Sequence, residues 1–426
     1  MRFKSRLCLS GSFAVAALVM MSQVATVRAD GSKKLEVMHL WTSGGEAAAM
    51  QVIKNAVQAR GLEWQDSAVA GAGGQNEAQA LQARFAAGNP PAAATAQGQN
   101  VLEYANQGSL GEINEIAAKE GFEQLIAPEL LPYTKVNGNW VSVPFNMHRE
   151  NMLYINKKVL DQYGGKVPQD WAQFVALLGR IKEGGKVIPL ALGGDDWQEA
   201  EIFTDIMIGQ GGVAFYKDAI LKLDKDTLGG PKMLAAFDTL RKVLEYTDPN
   251  RTGRDWAIAT GMVARGEAAM QFQGNWAAGD LIHAGLEPNK DFLCVTAPGN
   301  GHTFDFLTDF LVAFKQPNDQ AKANQAALIE IVMDKKIQEE FNKKKGSIPA
   351  RLDASSDGFN ACSKQDFADR AEALKDGSLI PSFNENMALR ADIRAAIVDV
   401  IHEFSNNPSM SSQEAVAKIV KNVSSL

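Results

Sequence analysis

Short apolar runs alternate with stretches of helical spacing along most of this chain, and no other feature narrows the fold as far. LEVMHLW (35–41) reads as a strand, and residues 46–60 then carry apolar side chains at helical spacing. LEWQDSAV (62–69) is again strand-like, 76–87 is helical, AAATAQ (92–97) is a short strand, and a helix follows near 101–106. Such alternation predicts a parallel sheet with crossover helices. VNGNW (136–140) predicts a hairpin about an Asn-Gly turn.

A second series begins near Asn151. NMLYIN (151–156), VIPLALGG (187–194), AAMQFQG (268–274), FLCVTA (292–297) and FDFLTDFLVAF (304–314) read as strands, and 171–182, 199–208 and 231–246 as helices. From Asn318 onward the chain reads as almost all helix. At 426 residues, 46% hydrophobic and 22% charged, it is too long for one ordinary core, so two lobes are expected. No repeat, low-complexity segment or long linker separates the two series. The lobes are therefore expected to be joined by short crossovers, with a cleft between them suited to a small ligand.

The first 29 residues belong to neither lobe. Arg2, Lys4 and Arg6 precede the apolar run FAVAALVMM (13–21), which is too short to span a bilayer, and VRA precedes Asp30. This pattern is a secretory signal, with cleavage expected after Ala29 and export from the cytoplasm. Cys8 sits inside the signal and no cysteine follows the cut, so no lipid anchor is expected. No later run reaches about 18 unbroken apolar residues, so no membrane span is expected. Removing Arg2, Lys4, Arg6 and Arg28 moves the formal charge from −7 to −11. So acidic a chain is a poor candidate for nucleic acid or anionic membrane, and small neutral ligands suit it better.

Two cysteines remain, Cys294 and Cys362. In an oxidising compartment they form either a disulfide or two buried thiols. A bond would close a loop worth about 4 kcal/mol on chain-entropy grounds. Neither has a second Cys or a His at zinc-ligand spacing, so no metal is expected, and no cofactor.

Enzyme signatures are missing. AGAGGQN (70–76) has neither the Gly-Lys-Ser/Thr ending of a P-loop nor the dinucleotide spacing, and reads as a tight turn exposing helix N-terminal amides. His39, His148, His283, His302 and His402 form no i, i+4 metal pair. Asp195 and Asp196 beside Trp197 read as a solvated turn. The tryptophans say more. Trp41, Trp197, Trp256 and Trp276 lie at element ends beside Gly, Asn or Asp, in LWTSGG, GDDW, GRDW and QGNWAAGD. Each ring is either a packing residue or a platform for the apolar C–H face of a sugar, with neighbouring polar groups taking the hydroxyls.

Read in order, HLWTSGGE (39–46), GNPP (88–91), NGNWVSVPFNMHRENMLYINKKVL (137–160), ARGEAAMQFQGNWAAGD (264–280) and FNKKKGSIPARLD (341–353) resemble the periplasmic solute-binding proteins of ABC sugar importers. The likeness is greatest to the glucose/aldose-binding branch, and it covers nearly the whole mature chain. It implies an α/β fold of two lobes, each a mainly parallel sheet flanked by helices, with the ligand cleft between them. The lobes would be 30–142 with 303–350, and 146–297 with 351–426. SVPFNMH (142–148) and APGNGHT (297–303) would be crossover strands and GSIPARLD (346–353) a third crossing.

By the same resemblance, Trp41 is a stacking aromatic of the first-strand loop and Glu46 an acid of that loop. Trp256 and Trp276 are cleft tryptophans of the second lobe. Asp309 accepts sugar hydroxyls and Lys345 donates to them. Gln97 stands where glucose-binding members place a histidine. Leu40 stands for the first of two consecutive tryptophans, Pro381 for another histidine, and Ala92 for an aspartate after two prolines. These changes point away from glucose toward another hexose, a pentose, a modified sugar or a short oligosaccharide. The implied function is capture of a sugar by a non-enzymatic monomer that delivers it to ABC permease subunits. The alternatives are a secreted glycan-active hydrolase, which needs two carboxylates flanking one bond, and a binding protein for a polyamine or amino acid.

Overall fold

Three sheets position everything that follows, and two of them carry the lobes. The computed structural model describes residues 33–426, so the signal segment 1–29 and Cys8 lie outside the described residues. In the first sheet, strand Lys34–His39 pairs in parallel with Glu63–Ala68 and Ala93–Gln97. Strand Asp309–Ala313 then pairs antiparallel with both Ala93–Gln97 and Ser142–Pro144. In the second sheet, Met152–Asn156 lies antiparallel to Phe292–Thr296 and Ala268–Phe272, and Ile188–Leu190 adds in parallel. The parallel pairs come from the strand–helix alternation. The antiparallel ones come from strands flanking the passages between lobes. The third sheet joins the lobes, in the order Leu379–Pro381, Phe304–Leu307, His148–Arg149.

One apolar cluster gathers Leu35, Val37, Ile53, Val143, Phe310 and Leu328 around the first sheet. Another gathers Leu153, Ile155, Phe203, Phe237, Phe272 and Ile401 around the second. The helix Gly44–Ala59 shows how local chemistry sets an element. Ser43 caps it in a capping box with Glu46, and Ala49, Met50, Ile53 and Val57 form the buried stripe. The Asn137-Gly138 turn has φ of 51° and 83°, joining Lys135–Val136 to Asn139–Trp140.

Several expectations need correction. FDFLTDFLVAF is two strands on two sheets. Thr308 interrupts it where the Asn146 side-chain oxygen takes the Asp309 N–H at 3.0 Å, and Phe145 N–H donates to the Asp309 carbonyl at 2.9 Å. APGNGHT is a turn rather than a crossover strand, because Gly299 and Gly301 take φ of 79° and 58° and extended pairing starts at Phe304. VIPLALGG yields only Ile188–Leu190, and the helix expected at 199–208 runs Asp196–Tyr216 with a break at Gly212, φ 79°. Within GSIPARLD, Ile348 and Met147 exchange two backbone hydrogen bonds of 2.7 and 3.1 Å.

Arg149 is fully buried beside the passages between lobes. Its guanidinium pairs with Asp369, stands 3.7 Å from Asp366, and donates to the Thr303 carbonyl at 2.8 Å and Thr296 Oγ1 at 3.1 Å. Cys294 and Cys362 are joined as a disulfide, fixing the strand Phe292–Thr296 to the helix Ala361–Asp376. Replacing both by serine is expected to cost about 4 kcal/mol, read as a lower urea midpoint that matches the reduced wild type.

Candidate ligand-binding site

Two of the tryptophans owe their position to helix starts. Asp255 caps the helix Trp256–Arg265, taking the Ala257 N–H at 2.8 Å, so Trp256 is its first residue. Trp276 opens the helix Trp276–His283 directly after the strand Ala268–Phe272. Trp41 follows the end of strand Lys34–His39. Asp309 and Gln97 are paired opposite each other in the first sheet. Lys345 is the last residue of helix Lys335–Lys345.

These elements enclose a cavity of about 330 Å³. Trp41, Glu46, Gln97, Trp256, Trp276, Asp309 and Lys345 all line it. The structure thus brings together residues as much as 304 positions apart, and it leaves none of the seven elsewhere. Trp197, His148, Asp255 and Glu385 line it as well, along with the Gly71–Gly73 turn. That turn needs its glycines. Gly73 has φ of 55°, and a Cβ there would stand 3.0 Å from the Trp197 ring.

The aromatic wall is edge-on. Trp197 and Trp256 lie 6.2 and 6.4 Å from Trp276 by ring centroids, at 61° and 77°. The His148 ring meets Trp276 at 5.2 Å and 80°. Trp276 donates its indole N–H to Gln273 at 2.8 Å. Trp197 Nε1 is buried and has no partner among the described residues. Trp41 is more embedded than a free platform at a cleft mouth. It packs against Phe145 and Phe341 at 5.2 and 5.4 Å, and the Lys345 ammonium lies 5.5 Å over its ring.

The polar wall is a set of linked side chains. Lys345 Nζ pairs with Glu46 Oε1 at 2.9 Å, and Glu46 Oε2 takes the Thr42 and Ser43 N–H groups at 3.2 and 3.3 Å. Glu46 therefore serves both the helix N-terminus and a buried ion pair. Asn146 Nδ2 donates to Asp309 Oδ2 at 2.7 Å, and His148 Nε2 lies 3.3 Å from that oxygen. Gln97 donates to Glu385 at 2.8 Å and accepts from Asn386 at 3.0 Å.

Burial works against ionisation of Asp309, but His148, the Lys345 charge and the Asn146 donor hold it below the usual carboxylate value. Burial, helped by the Lys345 charge, keeps His148 below the ordinary histidine value and so neutral near pH 7. Burial raises Asp255, and raises Glu385 to about 7.

Two carboxyls away from the cavity lining behave alike. Glu77, hydrogen-bonded to Thr95 Oγ1 at 2.9 Å, is pushed by burial to about 8, and Asp366 to about 6. A carboxyl raised on folding adds stability in full below its unfolded value, and that contribution is lost as pH rises through the folded value. Stability is therefore expected to fall between about pH 4.5 and pH 8, by on the order of 1 kcal/mol per pH unit for each titrating group. Thermal melts across that window, with Glu77→Gln giving a flatter profile, check the sign. A melting temperature that climbs from pH 5 to pH 8 would contradict it.

His148 and Asn146 were not singled out by the sequence reading, and the signal that points to them is their spacing, two residues apart on one passage of chain. Glu385 carried no local signal, standing 288 positions from its partner Gln97. Pro381 lies in the third sheet away from the lining, so the histidine it replaces has no positional successor in the cavity.

The sequence profile of the bacterial extracellular solute-binding proteins matches residues 42–316. The chain belongs to that family, whose members are binding proteins rather than enzymes. It is 40% identical to the "Probable sugar-binding periplasmic protein" of Rhizobium meliloti (strain 1021) over 407 residues, covering 96% of each chain. It is 41% identical over 389 residues to the protein of the same description in Mesorhizobium japonicum, covering 91% of this chain and 93% of the other. Among solved structures it is similar to the solute receptor AcbH, described as exclusively preferring β-D-galactopyranose. The TM-score is 0.75 at 19% identity, covering 92% of this chain and 98% of that one. At that identity the likeness bears on the two-lobed fold.

Proposed function

We propose that this protein captures a sugar in the cavity between its lobes and delivers it, as a periplasmic monomer, to ABC permease subunits in the inner membrane. One observation carries the reading. Trp197, Trp256 and Trp276 line one side of a small cavity, and Asp309, Gln97 and the Lys345–Glu46 pair line the rest. Indole faces suit the C–H face of a sugar, while carboxylates, amides and an ammonium suit its hydroxyls. About 330 Å³ is at the small end of ligand cavities, which favours a monosaccharide over a long oligosaccharide. The descriptions of the relatives as sugar-binding and periplasmic support both the ligand class and the destination.

Most members of the two apolar clusters support a lobe division near 30–142 with 303–350 and 146–297 with 351–426, while Trp197, Trp276, Ala373 and Met387 of the second lobe join the first cluster. The third sheet and the Met147–Ile348 pair are the hinge of this reading. Contacts to both lobes favour the closed form, because the ligand gains more of them there. A glycan-active hydrolase is not favoured by the family.

Isothermal titration of the mature protein with aldohexoses, ketohexoses, pentoses and disaccharides, beside amino acids and polyamines, tests the proposal. Saturable one-to-one binding of a sugar is expected. Binding only of amino acids or polyamines would refute it.

A further inference from the structure

The charges on the cavity wall do not balance. Four carboxyl groups line it, from Glu46, Asp255, Asp309 and Glu385, and Lys345 is the only lysine or arginine among the lining residues. That lysine is already bound to Glu46 at 2.9 Å. The histidine present, His148, is held neutral by burial. Asp309 is 3% exposed, and its hydrogen-bonding neighbours are an amide and this neutral ring. Glu385 is 4% exposed and accepts from an amide, Gln97. Asp255 accepts the backbone N–H of Ala257.

The Lys345 charge reaches Asp309, and the Arg394 charge reaches Glu385, only through space, and an arriving cation that hydrogen-bonds them would favour both ionised forms. The opposite wall suits a cation too. Trp197 and Trp256 each sit edge-on to Trp276, a geometry in which ring faces can meet an ammonium group. Trp197 Nε1, buried and without a partner among the described residues, adds a donor for a neutral hydroxyl of the same ligand. The lining thus combines sugar-stacking rings, hydroxyl partners and more carboxyl groups than cations.

We infer that the physiological solute is an amino sugar, its protonated amine directed to the Asp309–Glu385 side of the cavity and its ring to the tryptophans. This rests on the sugar-binding reading and specifies the substrate class within it. Sugar acids and sugar phosphates are excluded by the same charges.

The test is calorimetric titration at pH 6.5 with three matched series: glucose, galactose and mannose, their 2-amino-2-deoxy forms, and the N-acetylated forms of those amines. At least one free amine is expected to bind about tenfold or more tighter than both its parent hexose and its N-acetyl derivative, the size of a charge-assisted hydrogen bond. Asp309→Asn and Glu385→Gln are each expected to shrink that ratio, and circular dichroism and melting would confirm that both fold. A parent hexose that binds as tightly as its amine would overturn the amino-sugar inference and leave the sugar reading intact. A ratio unmoved in both folded variants would also overturn it. Absence of binding in all three series, with saturable binding of an amino acid or polyamine, would overturn both.

Discussion

Asp309→Ala is expected to weaken sugar binding by about 10- to 150-fold, the cost of losing a charge-assisted hydrogen bond of roughly 1.5–3 kcal/mol. Three features of the residue drive the effect. It is nearly inaccessible, at 3% exposure, so water compensates little for what is removed. It lies opposite Gln97 in the first sheet, its carbonyl accepts from the Phe145 N–H and its own N–H donates to Asn146 Oδ1, so its backbone position is fixed. Its carboxylate is held by Asn146 at 2.7 Å, so it is pre-oriented before ligand arrives. Calorimetry beside a melting curve separates lost binding from lost fold. A variant that melts normally and binds within about twofold of wild type would remove Asp309 from the site.

Arg149→Met is expected to be the most destabilising single change away from the cavity, at about 3–5 kcal/mol. Methionine keeps much of the side-chain volume, so packing loss is small and the effect isolates the charge. Without the guanidinium, Asp369 and Asp366 are left buried with no cation, and the Thr303 carbonyl loses its 2.8 Å donor. Asp366 is already pushed up to about 6 by burial with Arg149 in place. The variant should therefore melt lower at pH 8 than at pH 5.5 by a wider margin than wild type does, because the orphaned carboxyls must then ionise without a partner. A change below about 1 kcal/mol at pH 8 would show that the buried pair is energetically idle.

The alternation of strands and helices was legible because strands buried on two faces leave continuous apolar runs, such as residues 152–155 of the strand Met152–Asn156. Elements whose ends depend on the other lobe were not legible. FDFLTDFLVAF has uninterrupted strand character, and only Asn146, 163 positions away, divides it by capturing the Asp309 N–H. The cavity followed the same rule. Trp256 and Trp276 could be found because each follows a turn residue and opens a helix. Glu385 could not, since its role depends on a partner 288 residues away. Trp197 fell between these cases. Its flanking Asp195 and Asp196 read as a solvated turn, yet Asp195 is the N-cap of helix Asp196–Tyr216 and the ring turns inward, 3% exposed.

The most direct measurement is a crystal structure of the mature protein grown with the sugar that calorimetry identifies as binding. The expected result is one ordered sugar between the lobes, its ring against Trp256 or Trp276 and its polar groups within hydrogen-bond distance of Asp309. Sugar bound on an outer face of either lobe, with that cavity filled only by water, would contradict the assignment of the cavity as the binding site.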